Sequence, residues 1–473
     1  MAKKIVIGAL LVCLLYVLYA LATAVVLFYF PLEKKGDMPT NDVSEFMGRG
    51  NSSDRVLLLE DGYESGRARI QMIQEAEESI DIAYYSIAKG KSTELILGAL
   101  IEAADRGVKV RILVDGICHG LRFKMSDVRY ALASHDNIEL RYYESFKIFQ
   151  PWTWNNRLHD KIMLADGRLG IIGGRNIADK YLAKKPPKNF VHDRDVIIFN
   201  EDQGEESANA QMKEYIDELW HHPYTSNPFS DLSKRQVAKG EEEKKKLSSQ
   251  YNKAIKANEN FVTPSIKWSA ITTPTKRVSF IRNPIGRFKK QPVVWQSLID
   301  LGTEAEQSVL MQCPYVIPTK EMKKYVPDNM NSAADWTMLT NSVKSTPNVF
   351  AFSGYLDTRE DIVQTGVRLY EYADHYSLHA KSVVYDQRIS AVGSFNLDPR
   401  SSFLSTDSMV VIDSEDFAQQ LTEAIDNKIS SSTLVADNKE KIETPKDEKK
   451  DKSYKAILLN TLSKIAIFWR ALV

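Results

Sequence analysis

The sequence predicts an α/β protein made of two similar α/β/α halves. Mixed, mainly parallel sheets are expected to pack around one shared active site, preceded by a transmembrane helix. Three observations lead there. One pattern occurs twice, as HDKIMLADGRLGIIGGRN at 159–176 and HAKSVVYDQRISAVGSFN at 379–396. Ahead of each copy, strand-like apolar runs alternate with helix-period segments, the order expected of a sheet covered by helices. Residues 5–30 carry no charge at all.

Both copies read His-x-Lys-x4-Asp-x6-Gly-(Gly/Ser)-x-Asn. The first is carried by His159, Lys161, Asp166, Gly173, Gly174 and Asn176, the second by His379, Lys381, Asp386, Gly393, Ser394 and Asn396. Between the polar positions, IMLA and LGII in one copy and SVVY and ISAV in the other read as short buried strands joined by a turn at Asp-Gly or Asp-Gln. His and Lys stand two apart, so on an extended chain they project to the same side. A single copy could be a buried hairpin whose histidine is satisfied by a neighbour. The recurrence of five residue types at equal offsets argues instead for two half-sites of one active site.

Length and composition set the frame. With 473 residues, 43% of them apolar, the chain can form two domains with real cores. Lys plus Arg equals Asp plus Glu at 62 each, so no global basic field advertises nucleic acid, and no nucleic-acid partner is expected. Cys13 lies inside the apolar run, leaving Cys118 and Cys313 as a possible pair and no disulfide framework. The histidines include His192 and His221-His222, but no Cys, His or carboxylate cluster has metal-ligand spacing, so neither metal nor other cofactor is expected.

Taken in order, residues 1–36 form the anchor. At about 1.5 Å per residue the run 5–30 crosses a hydrocarbon core of about 30 Å. A cleaved signal peptide would have an apolar region about half as long ending in small residues, whereas this one ends in Phe28-Tyr29-Phe30-Pro31. Lys3 and Lys4 precede it and Lys34 and Lys35 follow, a slight preference for a single-pass anchor with the main body outside the cytoplasm. Residues 37–62 read as a polar tether.

The first half, 63–225, shows helical spacing over 66–79 and 91–106, and strands at 80–87, 108–115 and 138–144 before the first signature. Residues 226–285 form a charged insertion or linker whose charge runs read as a solvated face. The second half, 286–428, repeats the grammar with a helix near 293–305 and the strands SVLMQCPYVI, WTMLTNS and GVRLYEY, so a duplication is the economical explanation. Residues 429–455 read as a charged linker. The closing segment 456–473 is apolar with Lys464, Trp469 and Arg470 interspersed, as in a helix lying in a membrane interface; packing back onto the core is the alternative.

A site with two histidines, two lysines and two asparagines suits phosphodiester transfer. One imidazole can attack phosphorus while the other, protonated, supplies the leaving alcohol with a proton. Lys161, Lys381, Asn176 and Asn396 are suitable donors for the charge that accumulates on the phosphoryl oxygens. Each imidazole also needs an acceptor on its second nitrogen. Asp193 in VHDRDVIIF and Asp407 in STDSMVVI are the candidates, with a solvated turn carboxylate as the alternative for each.

The doubled pattern resembles the HKD signature of the phospholipase D superfamily. Over roughly 65–425 the chain resembles the bacterial cardiolipin synthase branch, through GGRN and GSFNLDPRS in the signatures and through YYSI at 84–87, RGVKVRILVD at 106–115, RLHDK at 157–161, LTNS at 339–342 and SLHAK at 377–381. The resemblance implies a phosphatidyltransferase in the bacterial cell membrane. It would move a phosphatidyl group to phosphatidylglycerol through a phospho-histidine, with His159 as nucleophile and His379 as general acid. Asp166 and Asp386 would hold the signatures together. Gly174 stands where the superfamily usually has Ser, as Ser394 does in the second copy, and removes one phosphate-facing hydroxyl. The expected partners are phospholipids and the bilayer, which the 149–154 aromatic stretch would meet unless it is core; no protein partner is indicated. A hydrolytic phospholipase D, a nuclease and a non-catalytic membrane scaffold remain the alternatives.

Overall fold

Each signature folds into a hairpin whose first turn residue is its aspartate. Asp166 and Asp386 sit at φ of +53° and +49°, a left-handed conformation that Asp tolerates because its short carboxylate can bond nearby backbone. The Asp166 carboxylate accepts from the N–H groups of Glu77, Glu78 and Ser79 at 2.8–2.9 Å, and Asp386 accepts from Glu306, Gln307 and Ser308 at 2.7–2.9 Å. Each turn is thereby fastened to the entry of the neighbouring strand.

The protein was analysed as a computed structural model, which describes residues 2–29, 42–204, 206–257, 266–327, 334–437, 440–441, 454–464, 466 and 472. An N-terminal helix, α1 (Ala2–Ala24), precedes the first half. That half runs β1 (Arg55–Leu59), α2 (Gly62–Glu75), β2 (Ser79–Tyr84), α3 (Lys91–Asp105), β3 (Lys109–Asp115), α4 (Ser126–Ala133), β4 (Ile138–Tyr143), β5 (Lys161–Ala165), β6 (Leu169–Gly173), α5 (Asp179–Leu182), β7 (Val191–His192), β8 (Asp195–Phe199), α6 (Ala208–His221), β9 (Thr225–Ser226), α7 (Lys234–Lys256), α8 (Trp268–Ile271) and β10 (Thr273–Pro274). The second runs β11 (Arg277–Arg282), α9 (Val293–Glu304), β12 (Ser308–Gln312), α10 (Lys320–Lys323), β13 (Asp335–Asn341), α11 (Val349–Val363), β14 (Arg368–Tyr372), β15 (Ser377–Leu378), β16 (Ser382–Tyr385), β17 (Ile389–Gly393), α12 (Pro399–Phe403), β18 (Ser408–Asp413), α13 (Glu415–Ile429), β19 (Ser432–Asp437), β20 (Glu440–Lys441) and α14 (Tyr454–Ser463).

Each half has its own sheet, ordered β10-β1-β8-β6-β5-β2-β3-β4-β9 and β11-β18-β17-β16-β12-β13-β14-β19-β20. The duplication is visible in these orders, since β5-β6 and β16-β17 occupy equivalent places. The α/β class and the two halves are as expected, but within these two sheets the ladders are parallel only along β2-β3-β4 and β12-β13-β14. Both signature hairpins pair antiparallel, so "mainly parallel" overstates the pattern. A third apolar layer lies between the sheets. Ile162, Ile172, Val196 and Leu158 meet Val384, Val392, Val410 and Leu378 there, beneath α6 and α13. Burying such side chains contributes roughly 1.5–3 kcal/mol each, so the halves are joined by core rather than by a wet interface.

Four segment boundaries differ from the sequence reading. The tether expected over 37–62 gives way by Arg55 to β1, which pairs with β8; residues 37–41 lie outside the described part. In the insertion at 226–285, α7 packs on α3 and α4, burying Leu247, Tyr251 and Ala254 beneath its charged outer face, while β10 and β11 join the sheets. Sparse apolar positions at helical spacing were enough for docking. In the linker at 429–455, residues 432–437 form β19, because STLVA offers an apolar run beside the open edge of β14; 438–439 and 442–453 lie outside the described part. In the closing segment, α14 packs on α11 with Leu459 buried in the second core; Trp469 and Arg470 lie outside the described residues.

Candidate active site

Two short pairings between the halves position the histidines. Leu158 forms a parallel bridge with Thr406, and β15 pairs parallel with β7 through Ser377–Val191 and Leu378–His192. The His159 N–H accordingly donates to the Thr406 carbonyl at 3.1 Å, and the His379 N–H to the His192 carbonyl at 2.7 Å. The residue after each acceptor is an aspartate. His159 Nδ1 lies 2.7 Å from Asp407 Oδ1, and His379 Nδ1 lies 2.6 Å from Asp193 Oδ2. Each imidazole is therefore oriented by the other half's carboxylate, which leaves Nε2 of each ring as the nitrogen able to react.

Lys161 begins β5 and Lys381 stands directly before β16, and each ammonium folds back onto the carbonyl of its own histidine. They share one field. Burial and then the charge of Lys381 bring Lys161 down to about 7, and burial also lowers Lys381. Burial and both lysines hold His159 well below its ordinary value, while burial and Lys381 outweigh Asp193 and bring His379 to about 3. A buried pair of ammonium groups beside two neutral imidazoles is a site prepared for an anion.

The two carboxylates are unlike. Burial raises Asp407 to about 7 and leaves its Oδ2 without a hydrogen bond among the described residues. Burial would raise Asp193 too, but His379 and Lys381, with Arg175 behind them, hold it well below the usual carboxylate range. The Gly174/Ser394 difference follows the same asymmetry. Ser394 Oγ donates to Asp407 Oδ1 at 2.7 Å, whereas a Cβ at Gly174 would stand 2.1 Å from Asp193 Oδ1. The first copy has glycine where its carboxylate fills the space of a side chain.

Asn176 and Asn396 lie close by, each with a buried amide oxygen lacking a hydrogen-bond partner among the described residues. Asp166 and Asp386 are not brought to the site; they stay at the hairpin turns. Several neighbours were quoted in the sequence only as parts of motifs, or not at all. Asp160 accepts from Thr406 Oγ1 and Ser408 Oγ at 2.6 Å and from the Tyr215 hydroxyl at 3.0 Å, tying the halves beneath His159. Tyr85 presents an edge to His159, and Tyr181 and Tyr315 flank His379. Tyr85 was quoted in YYSI and Tyr315 in SVLMQCPYVI without a role, and Tyr181 not at all, since the three come from separate segments.

A half-open cavity of about 490 Å³ rises from His159 and Asn396, walled by Tyr85, Arg157, Tyr315, Asp398 and Arg400, with Phe146 and Trp154 at its side. A larger surface cleft of about 870 Å³, near Glu75, Arg106 and Trp268, touches the first signature only at its turn residue Arg168 and is lined by neither histidine. The smaller one, lined by His159 and Asn396, is the candidate active site.

Two crossed histidine–carboxylate pairs and two lysines in one charge cluster, with a cavity opening from His159, built on a duplicated α/β fold, define a phospholipase D-type phosphodiester enzyme. The family model described as the phospholipase D-like domain of cardiolipin synthase matches residues 69–220 and 298–429, and the chain belongs to that family. Its class is that of the phospholipase D-type phosphatidyltransferases. Among similar proteins, cardiolipin synthase C of Escherichia coli K12 is 26% identical over 397 residues, covering 77% of this chain and 82% of that protein. An uncharacterized protein of Helicobacter pylori 26695 is 28% identical over 413 residues, covering 77% of each chain. The crystal structure of phosphatidylserine synthase from Haemophilus influenzae shares the fold at a TM-score of 0.60 and 13% identity, over 89% of this chain and 95% of that one. Consistent with a membrane enzyme, the segment Ala2–Tyr29 is long and apolar enough to cross a bilayer.

Proposed function

We propose that this enzyme transfers a phosphatidyl group to the glycerol hydroxyl of phosphatidylglycerol, forming cardiolipin, with His159 as nucleophile, His379 as general acid, and the catalytic body on the extracytoplasmic side. The observation that carries the reading is the crossed pairing of His159 with Asp407 and His379 with Asp193 around the two buried lysines. His159 Nε2 attacks phosphorus, the bond to the leaving alcohol breaks, and His379, neutral beside the lysines alone but protonated once the bound phosphodiester's negative charge offsets them, gives its Nε2 proton to that alcohol. The firmly ionised Asp193 supports His379 as the ring that must carry positive charge. Asp407, raised to about 7, suits a ring that stays neutral until it attacks. In the return step, neutral His379 takes the proton of the acceptor hydroxyl. The acceptor oxygen bonds to phosphorus and the P–N bond breaks. Lys161, Lys381 and the two asparagine amides stabilise the equatorial oxygens in both steps.

Water in place of the acceptor would give a hydrolase with the same residues. Detergent-solubilised protein incubated with labelled phosphatidylglycerol should yield cardiolipin and glycerol. Phosphatidic acid as the sole product would replace the transferase reading with the hydrolytic one.

A further inference from the structure

The N-terminal helix does not simply lead away from the catalytic body. Its residues 2–15 are exposed, but from Tyr16 onward it runs along the segment that borders the cavity. The Tyr16 hydroxyl donates to the Ile148 carbonyl at 3.0 Å, the Tyr19 hydroxyl to the Phe149 carbonyl at 2.8 Å, and Asn155 Nδ2 to the Ala24 carbonyl at 2.6 Å. Four residues on, Phe28 is buried in the second core against Phe288. Residues 5–15 alone are about 16 Å long at 1.5 Å per residue, roughly half of a hydrocarbon core of about 30 Å, and Val17, Leu18 and Leu21 beyond them are still about half exposed. Residues 16–24 must therefore lie in hydrocarbon as well, and whatever packs on them lies at the same depth.

What packs on them is suited to that depth. Phe149 is 76% exposed, and Phe146 and Ile148 are about half exposed on the same loop. Phe123, 90% exposed and held at a φ of +54° that a bulky residue rarely adopts, comes from the loop after β3, beside the loop after β4. Phe350 projects from the first turn of α11 between the cavity-lining Asn348 and Ala351. Backbone carbonyls in hydrocarbon need internal partners, and those of Ile148 and Phe149 receive them from Tyr16 and Tyr19. The cation on this loop, Lys147, turns back to within 3.6 Å of Glu144.

We propose that the catalytic cavity is sunk into the leaflet: the 146–150 loop, with Phe123 and Phe350, enters the hydrocarbon alongside α1, and a lipid phosphodiester reaches His159 sideways while its acyl chains stay in the bilayer. This rests on the substrate being a bilayer phospholipid, whichever acceptor is used.

The full-length protein in proteoliposomes tests it by head-group release, a readout that does not depend on the acceptor. Phe123→Asp and Phe149→Asp should each lower turnover of vesicle lipid by roughly 10-fold or more, the penalty of carrying a carboxylate into hydrocarbon, while turnover of a short-chain, monomerically soluble phospholipid stays close to wild type. Equal losses on both substrates, or on neither, would overturn the proposal. The depth itself is read without activity. Emission gained in Phe149→Trp should be quenched by acyl-brominated lipid and be insensitive to aqueous iodide; the opposite pattern would sink it even if cardiolipin is made.

Discussion

Asp193 Oδ2 stands 2.6 Å from Nδ1 of His379, a residue 186 positions away and in the other half of the duplication. The reciprocal bond joins Asp407 to His159. The crossing follows from register. Parallel pairing of β7 with β15 and of Leu158 with Thr406 puts the entry of each late strand beside the opposite signature. Either half alone would hold a histidine without its carboxylate, so the active site exists only when the shared apolar layer has formed.

Replacing Asp193 with Asn should preserve the fold and remove the charge that raises the His379 basicity. Since that charge opposes a shift already reaching about 3, its loss takes His379 lower still, and the alkaline limb of kcat/KM moves to lower pH. Turnover should fall by about 10³–10⁴, as when a carboxylate is removed from behind a catalytic imidazole. The profile and the rate are measured together; a lower rate with an unmoved limb would mean that Asp193 acts only in packing.

Gly174 and Ser394 should respond unequally to exchange. A side chain at Gly174 displaces Asp193, whose Oδ1 would be 2.1 Å from the new Cβ, and a shift of about 1 Å at a catalytic group can cost about 100-fold. Gly174→Ser is thus expected to be the damaging change, although Ser is the usual residue of the superfamily. Ser394→Gly removes one donor to Asp407, a loss of roughly 1–3 kcal/mol in a buried pair, and should lower turnover about 10-fold. Steady-state rates and thermal melts of both variants check the order.

The signatures were legible because their chemistry requires particular residues at fixed offsets, and the alternation of strands and helices was legible from periodicity. Which carboxylate serves which histidine was not, because sequence distance favours the aspartate of the same half while the register chooses the other. The strands β1 and β19 were read as linker because each is a short run directly beside polar chain, with only a two-residue strand beyond it in the sheet. The seat of α7 on α3 and α4 was hidden by its many charges, which occupy one face only. Tyr16 and Tyr19 read as ordinary members of an apolar run, and their role depends on a loop about 130 positions away.

Lys161 titrates, by burial and by the charge of Lys381, at about 7. Below that pH it carries the charge that binds the phosphodiester anion; above it the charge is lost. The KM for donor lipid should therefore rise as pH increases through about 7, and Lys161→Met should show a high KM with that limb absent. With the two lysines and two asparagines in the proposed role of stabilising charge, turnover should persist in excess chelator. A loss in EDTA reversed by a divalent ion would assign that work to a metal.

The division of labour between the histidines is the finest test of the site. His159→Ala removes the proposed nucleophile and His379→Ala the proposed proton donor, so each should lower turnover by several orders of magnitude. The double variant should be little worse than either, since members of one catalytic unit are not additive. The covalent intermediate separates the roles. Short incubation with phospholipid labelled in the phosphatidyl group, followed by denaturation and peptide mapping, should place label on His159 in wild type. His379→Ala should retain a weak label, because attack can proceed slowly when the leaving alkoxide takes its proton from water, whereas His159→Ala should show none. Label on His379, in wild type or in His159→Ala, would reverse the assignment and transfer the ionised Asp193 from the acid to the nucleophile.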